Sequence, residues 1–156
     1  MHFQHITTEN NLKEMISSAF NLNLAVDGSW GYTHKEATVI LKLPTQTSQI
    51  QFEHNLALMR AYLEMNMTLS KEMCYGSITI GEIKRERIII EKKTYDKVTY
   101  TIKAIKELTY AKFIKEYKEK YGSDSFNLNE HFLQRKEATI ERIVTHWFEV
   151  ESIYTK

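Results

Sequence analysis

The strongest constraint on the fold is a strict alternation of apolar and polar residues shortly after the middle of the chain. The apolar set is Val98, Tyr100, Ile102 and Ala104, and the polar set is Lys97, Thr99, Thr101 and Lys103. Because successive side chains of a β-strand point to opposite faces, this pattern predicts a strand with one face in the core and the other towards solvent. Such one-sided burial is typical of an antiparallel sheet that is covered on one face only.

Other segments predict strands that could pair with this one. Residues 77–91 and 139–150 are rich in β-branched and apolar side chains, and shorter apolar runs occupy 21–26 and 37–43. The polar residues 92–97 predict the hairpin connection into the alternating strand. The sequence therefore predicts a sheet built largely from neighbouring, antiparallel strands.

Helices are predicted where apolar residues recur at spacings of three or four. The three stripes are Leu12, Met15, Ile16, Ala19 and Phe20; Phe52, Leu56, Met59, Leu63 and Met67; and Tyr110, Phe113, Ile114, Tyr117 and Tyr121. Asn11 has the spacing of an N-cap, although Thr7 or Thr8 could equally start the first helix a turn earlier. Gly122 is placed to end the third helix in the left-handed conformation. A shorter helix is predicted over 128–136, after Asn127.

Together these elements predict a single α+β domain over residues 1–156, with a mostly antiparallel sheet and three to four helices packed largely on one face. No linker rich in glycine, serine or proline divides the chain. A domain of this length buries about 70% of the surface that its unfolded chain exposes, so it needs no disulfide or metal to fold.

Cysteine content and hydropathy point to a cytoplasmic protein that does not enter a membrane. Cys74 is the only cysteine, so the chain can form neither an internal disulfide nor a thiolate zinc site, which fits a reducing compartment. No purely apolar run exceeds four residues, and runs such as Ile88–Ile90 are far too short to cross a bilayer. The amino terminus has no basic stretch followed by an apolar run, so we expect no export.

Charge is distributed unevenly along the chain. Residues 84–120 hold twelve Lys or Arg against six Asp or Glu, although the whole chain has a net charge of only +1. This basic segment indicates either an anionic partner such as nucleic acid or attraction between two regions of one fold. An anionic partner is the less favoured interpretation. The lysines lie on predicted faces opposite the tyrosines, as in any amphipathic element, so they are expected to form a solvated face.

The most distinctive candidate site is the segment from Asp27 to Glu36. Its glycines allow close backbone approach, while Trp30, Tyr32 and His34 offer flat rings with polar atoms beside the Asp27 carboxylate. We therefore predict ligand binding by Asp27, Trp30, Tyr32 and His34, with Trp30 or Tyr32 partly exposed at the rim of a concave surface. Alternatively, Trp30 fills the edge of the core and Asp27 stabilises a turn.

A second hypothesis combines this segment with the start of the helix predicted at 52–67. If Asp27, His34, Glu53 and His54 met in space, their carboxylates and imidazoles could bind a divalent metal or exchange protons. Nothing in their spacing requires that they meet.

The sequence alone favours a non-enzymatic binding or protein-interaction module without a cofactor, whose partner is a protein or a small molecule. Self-association is compatible with this interpretation. The common phosphate-loop, dinucleotide, zinc-protease and serine-hydrolase signatures are missing from the sequence. The alternatives are a metal-assisted hydrolase that uses the carboxylate and histidine cluster and, third, a domain that binds an anionic polymer.

Overall fold

The computed structural model describes residues 3–7, 10–66, 73–123 and 126–154. It confirms the predicted α+β class, with a five-stranded, mostly antiparallel sheet. The strands are β1 (Val26–Gly28), β2 (Thr38–Ile40), β3 (Tyr75–Ile90), β4 (Lys93–Lys106) and β5 (Ile140–Glu149). The helices are α1 (Leu12–Phe20), α2 (Gln49–Asn66), α3 (Glu107–Lys120), α4 (Leu128–Ala138) and the single turn α5 (Glu151–Tyr154).

The strands lie in the order β1-β2-β5-β4-β3, and every pairing is antiparallel except the short parallel contact between β2 and β5. Strands β3 and β4 form one long hairpin that turns at Glu91 and Lys92, whose φ angles are 48° and 69°. Two successive positive φ angles are typical of the tight hairpin turn that matches strand twist. The predicted connection over 92–97 is therefore too long, because residues 93–97 continue the ladder of β4.

The alternation in β4 has the predicted register. Val98, Tyr100 and Ile102 are buried, whereas Thr99 is half-buried and Lys103 is exposed. The buried face forms one hydrophobic cluster with apolar side chains of α1, α2 and β5. Helices α1 and α2 thus cover the inner face of the sheet.

Helices α1 and α2 lie close to their predicted positions. The Asn11 side chain caps α1 by accepting the backbone N–H of Glu14 at 2.8 Å. Helix α2 starts at Gln49, one turn before its predicted apolar stripe. Met67, the last residue of that stripe, lies outside the described residues. No described helix has the length and apolar character needed to span a membrane.

The short predicted strands are shorter still in the structure. Of the run 21–26, only Val26 belongs to a strand, and of the run 37–43, only residues 38–40 do. Asn21 adopts the left-handed conformation and ends α1, its N–H donating to the Ser17 carbonyl. The apolar alternation at 22–26 wrongly predicts a strand, because residues 22–25 form the connection between the end of α1 and the start of β1.

Helices α3 and α4 form a hairpin, residues 107–138, inserted between β4 and β5. Gly122 has a φ of 86°, which confirms the predicted left-handed position after α3. Asn127 caps α4 by accepting the N–H of Glu130 at 3.0 Å. The α3 stripe was predicted to face the core, yet α3 has no buried residue, and in α4 only His131 is buried.

Candidate functional site

Two glycines determine the path of the chain between β1 and β2. Gly28 and Gly31 have φ angles of 81° and 80°, which residues with a Cβ rarely adopt. A Cβ on Gly31 would lie 2.1 Å from Cδ2 of His146, and one on Gly28 would lie 2.4 Å from the Ala37 carbonyl oxygen. Both positions therefore require glycine, and the segment passes directly against β5.

His146 anchors this segment through one hydroxyl group. Its Nε2 lies 2.8 Å from Thr38 Oγ1, and the Thr38 hydroxyl donates to the Ser29 carbonyl at 2.7 Å. Because that hydroxyl has already donated its proton, Nε2 carries the hydrogen of the imidazole. Burial and the Arg60 guanidinium lower the pKa of His146, so the ring is neutral and serves as a fixed donor.

Of the two rings expected at the rim, Trp30 does not lie there. It is only 3% exposed and belongs to the hydrophobic core, so the prediction of an open Trp30 ring is wrong. Its carbonyl oxygen accepts a hydrogen bond from Arg60 Nη1 at 3.1 Å. Trp30 therefore fills the core, as the alternative interpretation held.

Tyr32, in contrast, is half-buried and lies at a cleft. Its ring stacks on His5 at 3.8 Å between centroids, and the Arg60 guanidinium carbon lies 4.7 Å from the ring centre. The hydroxyl donates to Glu64 Oε2 at 2.6 Å and accepts the Ile6 N–H at 2.9 Å. Burial raises the pKa of Tyr32, and the bond to Glu64 raises it further, so the phenol remains a donor at neutral pH.

Two arginines and two glutamates, Glu64 and Glu141, form the charged lining of this cleft. Glu64 Oε1 accepts from Arg142 Nη2 at 3.1 Å, and Glu64 Oε2 lies 4.0 Å from Arg60 Nε. Arg60 is buried, and its Nη2 also donates to the Thr145 carbonyl at 2.9 Å. Arg142 lies over the Phe3 ring at 4.4 Å, and its Nη1 is buried without a hydrogen-bond partner in the described part of the chain.

The cleft has a volume of about 460 Å³ and lies between the amino-terminal segment, α2 and β5. Its lining includes five consecutive β5 residues, 141–145, together with Phe3, His5, Tyr32, Arg60 and Glu64. The lining holds two guanidinium groups and two carboxylates, the buried Glu64 and the exposed Glu141, so its formal charges balance. The group that can receive an anion beside the aromatic surface is therefore Arg142 Nη1, which has no hydrogen-bond partner among the described residues.

The structure separates Asp27 and His34 from Tyr32. Asp27 is exposed on β1, paired with Val39. His34 is half-buried and packs against two other rings, with centroids 6.1 Å from Tyr95 and 5.8 Å from Trp147. Only Tyr32 of the four predicted ligand-binding residues lines the cleft.

The four residues of the metal hypothesis also lie apart. Glu53 is buried beside Arg85, while His54 packs edge-on against Tyr100 and lies 3.7 Å from Glu82. Within residues 3–7, 10–66, 73–123 and 126–154, no three His, Cys, Asp or Glu side chains are grouped so as to hold a metal ion. The required convergence of Asp27, His34, Glu53 and His54 is not found.

Glu53 instead belongs to a buried cluster of carboxylates and guanidinium groups. It shares a hydrogen bond with Asp96, and Arg85 Nη1 pairs with both carboxylates, lying 3.4 Å from Asp96 Oδ2. Arg87 Nε binds Asp96 Oδ1 at 2.9 Å. Burial, and next the bond to Asp96, raise the pKa of Glu53 to about 8. The pair therefore holds a proton at neutral pH.

Ion pairs connect the basic segment 84–120 to carboxylates outside it. Arg85 reaches Glu53 on α2, and Lys93 Nζ lies 3.1 Å from Glu149 Oε1 on β5. This is the attraction between regions that the charge distribution suggested as an alternative to an anionic partner.

Sequence reasoning did not identify Arg60, Glu64 or Arg142 as site residues. A usable signal was present, because Arg60 recurs four residues after Leu56 on the apolar stripe of α2, and Arg142 alternates in phase with Val144 on β5. A charged residue in phase with core positions needs a buried partner. The spacing could not indicate which partner it has.

Comparisons with known proteins add no family to this description. No family model matches the chain, and neither the curated proteins nor the solved structures include a significant match.

Proposed function

We propose that this chain is a binding protein whose cleft at Tyr32, Arg60 and Arg142 receives an anionic group, either a carboxylate or a phosphate, on a small molecule or a protein partner. The observation that carries the proposal is the Nη1 group of Arg142. It is buried, it lacks a hydrogen-bond partner among the described residues, and its side chain lines the cleft.

Energetics favour an anion at this position. Leaving a buried charged donor without a partner costs more than the ~1–3 kcal/mol typical of a neutral group. A guanidinium binds carboxylate or phosphate oxygens through charge-assisted hydrogen bonds, roughly twice as strong as neutral ones. Glu64 cannot fill this role alone, because its oxygens already contact Tyr32 and Arg142 Nη2.

The surrounding rings favour an anion attached to a flat or apolar group. Phe3, His5 and Tyr32 line the same cleft as Arg142. Aromatic walls contribute binding energy with little loss of side-chain entropy. The single cysteine, Cys74, supports an intracellular setting for this binding protein.

Titration calorimetry with benzoate and with inorganic phosphate tests the proposal. At least one probe should bind, and Arg142→Met should weaken that probe by at least about tenfold, the effect of losing ~1.4 kcal/mol. Arg135→Met is the matched control, because Arg135 lies on α4 over the Tyr110 ring and does not line the cleft. The proposal fails if neither probe binds, or if both variants weaken binding equally while remaining folded by circular dichroism.

A further inference from the structure

Strand β5 is paired on both sides over only a small part of its length. It pairs with β4 along its whole extent, from Ile140 to Glu149, but with β2 only at Phe148 and Glu149. Upstream of Trp147, the side of β5 that faces away from β4 therefore has no neighbouring strand within the described chain. This free edge, residues 141–145, is the part of β5 that lines the cleft.

The hydrogen bonds of neighbouring residues show which backbone groups point out of this edge. The Trp147 N–H donates away from β4, to the Gly31 carbonyl at 2.8 Å, and the Thr145 carbonyl accepts from Arg60. In an antiparallel strand, the backbone N–H and C=O groups of every second residue point to the same side. Those of Glu141 and Ile143 therefore point away from β4, as those of Thr145 and Trp147 do. No hydrogen bond to the Glu141 and Ile143 groups, or to the Thr145 N–H, occurs in the described part of the chain.

The opposite edge of the sheet is more strongly protected than this one, whose charged residues are Glu141 and Arg142. Strand β3 has two breaks in its register and carries the charged run Lys84, Arg85, Glu86 and Arg87. Such bulges and charges are devices by which proteins prevent strand addition at an edge. The β4–β5 register is continuous through 141–145, and Ile143 is 69% exposed. The free edge of β5 is thus suited to pairing.

We propose that the ligand of the cleft is an extended peptide segment that adds a strand to the free edge of β5, with a carboxylate bound by Arg142. This inference rests on the proposed function and specifies its partner. Main-chain hydrogen bonds to Ile143 supply affinity in such strand addition, and side-chain pockets supply specificity. Here the side-chain contact is Arg142, whose Nη1 has no hydrogen-bond partner among the described residues, so it selects a peptide with a terminal or side-chain carboxylate.

Fluorescence anisotropy with labelled peptides of alternating valine and threonine tests this inference. One peptide has a free carboxyl terminus, a second is amidated, and a third is amidated but carries a central aspartate. The free-acid or the aspartate peptide should bind at least about tenfold more tightly than benzoate, because backbone hydrogen bonds add to the carboxylate contact. The amidated peptide without aspartate should lose this affinity, and the comparison identifies which carboxylate source is used.

Ile143→Pro tests the backbone contact directly. Proline removes the outward N–H of Ile143 and leaves the bonds from β5 to β4 in place, since proline is tolerated where the N–H faces away from the partner strand. It should weaken the preferred peptide by at least about tenfold, with Ile143→Thr, which keeps the N–H, as the control. If Ile143→Pro does not fold, N-methylation of alternate peptide residues provides the same test, and one methylation phase should abolish binding.

Failure of this inference differs from failure of the proposed function. If benzoate or phosphate binds through Arg142 but the peptides bind no more tightly than the small anion, the cleft is an anion site and strand addition is wrong. Strand addition is also wrong if peptide binding is insensitive to both Ile143→Pro and peptide N-methylation. If neither benzoate nor phosphate binds, the proposed function itself is wrong.

Discussion

Helices α2 and α3 have a similar spacing of apolar residues but differ in how many of their residues are buried. Both repeat apolar residues every three or four positions, yet α2 buries nine residues and α3 buries none. Three of the nine residues that α2 buries are charged, namely Glu53, Arg60 and Glu64. In α3 the aromatic stripe is only half-buried, although its spacing is as regular as that of α2.

The difference shows that a regular apolar stripe predicts a helix but not the extent of its burial. Helix α2 lies over the inner face of the sheet, where buried side chains of β4 and β5 complete the core around it. Helix α3 contacts α4 and parts of β3 and β4. Charged groups can be buried on α2 because β3, β4 and β5 supply Arg85, Asp96 and Arg142 as partners.

The largest expected effect comes from a matched pair of leucine substitutions in the two helices. Leu56 on α2 is 1% exposed, whereas Leu108 on α3 is 58% exposed. Leu56→Ala should lower the free energy of unfolding by about 2–5 kcal/mol, because it removes buried methyl groups and leaves a cavity. Leu108→Ala should change it by no more than about 0.5 kcal/mol in urea denaturation. Equal losses would show that α3 is packed as tightly as α2.

The charged residues buried by α2 should make stability depend on pH. The pKa of Glu53 is about 8 in the folded protein, against ~4.3 in an unfolded chain, so the folded state binds the proton more tightly. The free energy of unfolding should therefore fall as pH rises from about 5 to about 8, by at most ~1.4 kcal/mol per pH unit. Glu53→Gln should flatten this slope, whereas Glu116→Gln on α3 should preserve it. A slope that persists in Glu53→Gln would assign the effect to another group.

A smaller effect on the free energy of unfolding is expected from removing the N-caps of α1 and α4. The two losses should show how strongly each helix is coupled to global unfolding. Asn11 caps α1, which packs into the core, and Asn127 caps α4 in the α3–α4 hairpin. Asn11→Ala should lower the free energy of unfolding by ~1 kcal/mol. Asn127→Ala should lower it less, and instead accelerate amide hydrogen exchange within α4 through local opening. A full global loss in Asn127→Ala would place the hairpin in the same cooperative unit as α2.

Much of the fold could be predicted because its signals are local. The alternation from Val98 to Ala104 specifies both the strand and its buried face, since the period of two admits one register against a core. The Asn11 and Asn127 caps and the left-handed Gly122 depend on neighbouring residues alone. Predictions were wrong at the boundaries between elements. Asn21, for example, ends α1 instead of starting the strand predicted over 21–26.

The site was predictable only in part. The sequence singled out the glycine-flanked segment as a candidate binding rim, and Tyr32 does line the cleft, although Gly31 lies against His146. It could not indicate that Trp30 turns into the core while Tyr32 turns towards Glu64, because both rings have similar apolar surfaces and polar atoms. Their environments depend on α2 and β5, not on neighbouring residues.

The sequence by itself determined the α+β class, the inner face of β4, the start of α4 after Asn127 and the left-handed Gly122. Only the tertiary structure brought Arg142 to Glu64, 78 residues away, and left residues 141–145 of β5 without a second neighbouring strand among the described residues. The physical reason is that a local pattern specifies which face of an element is buried. The partner of a buried charge, and the neighbour of a strand edge, are decided by how distant elements pack.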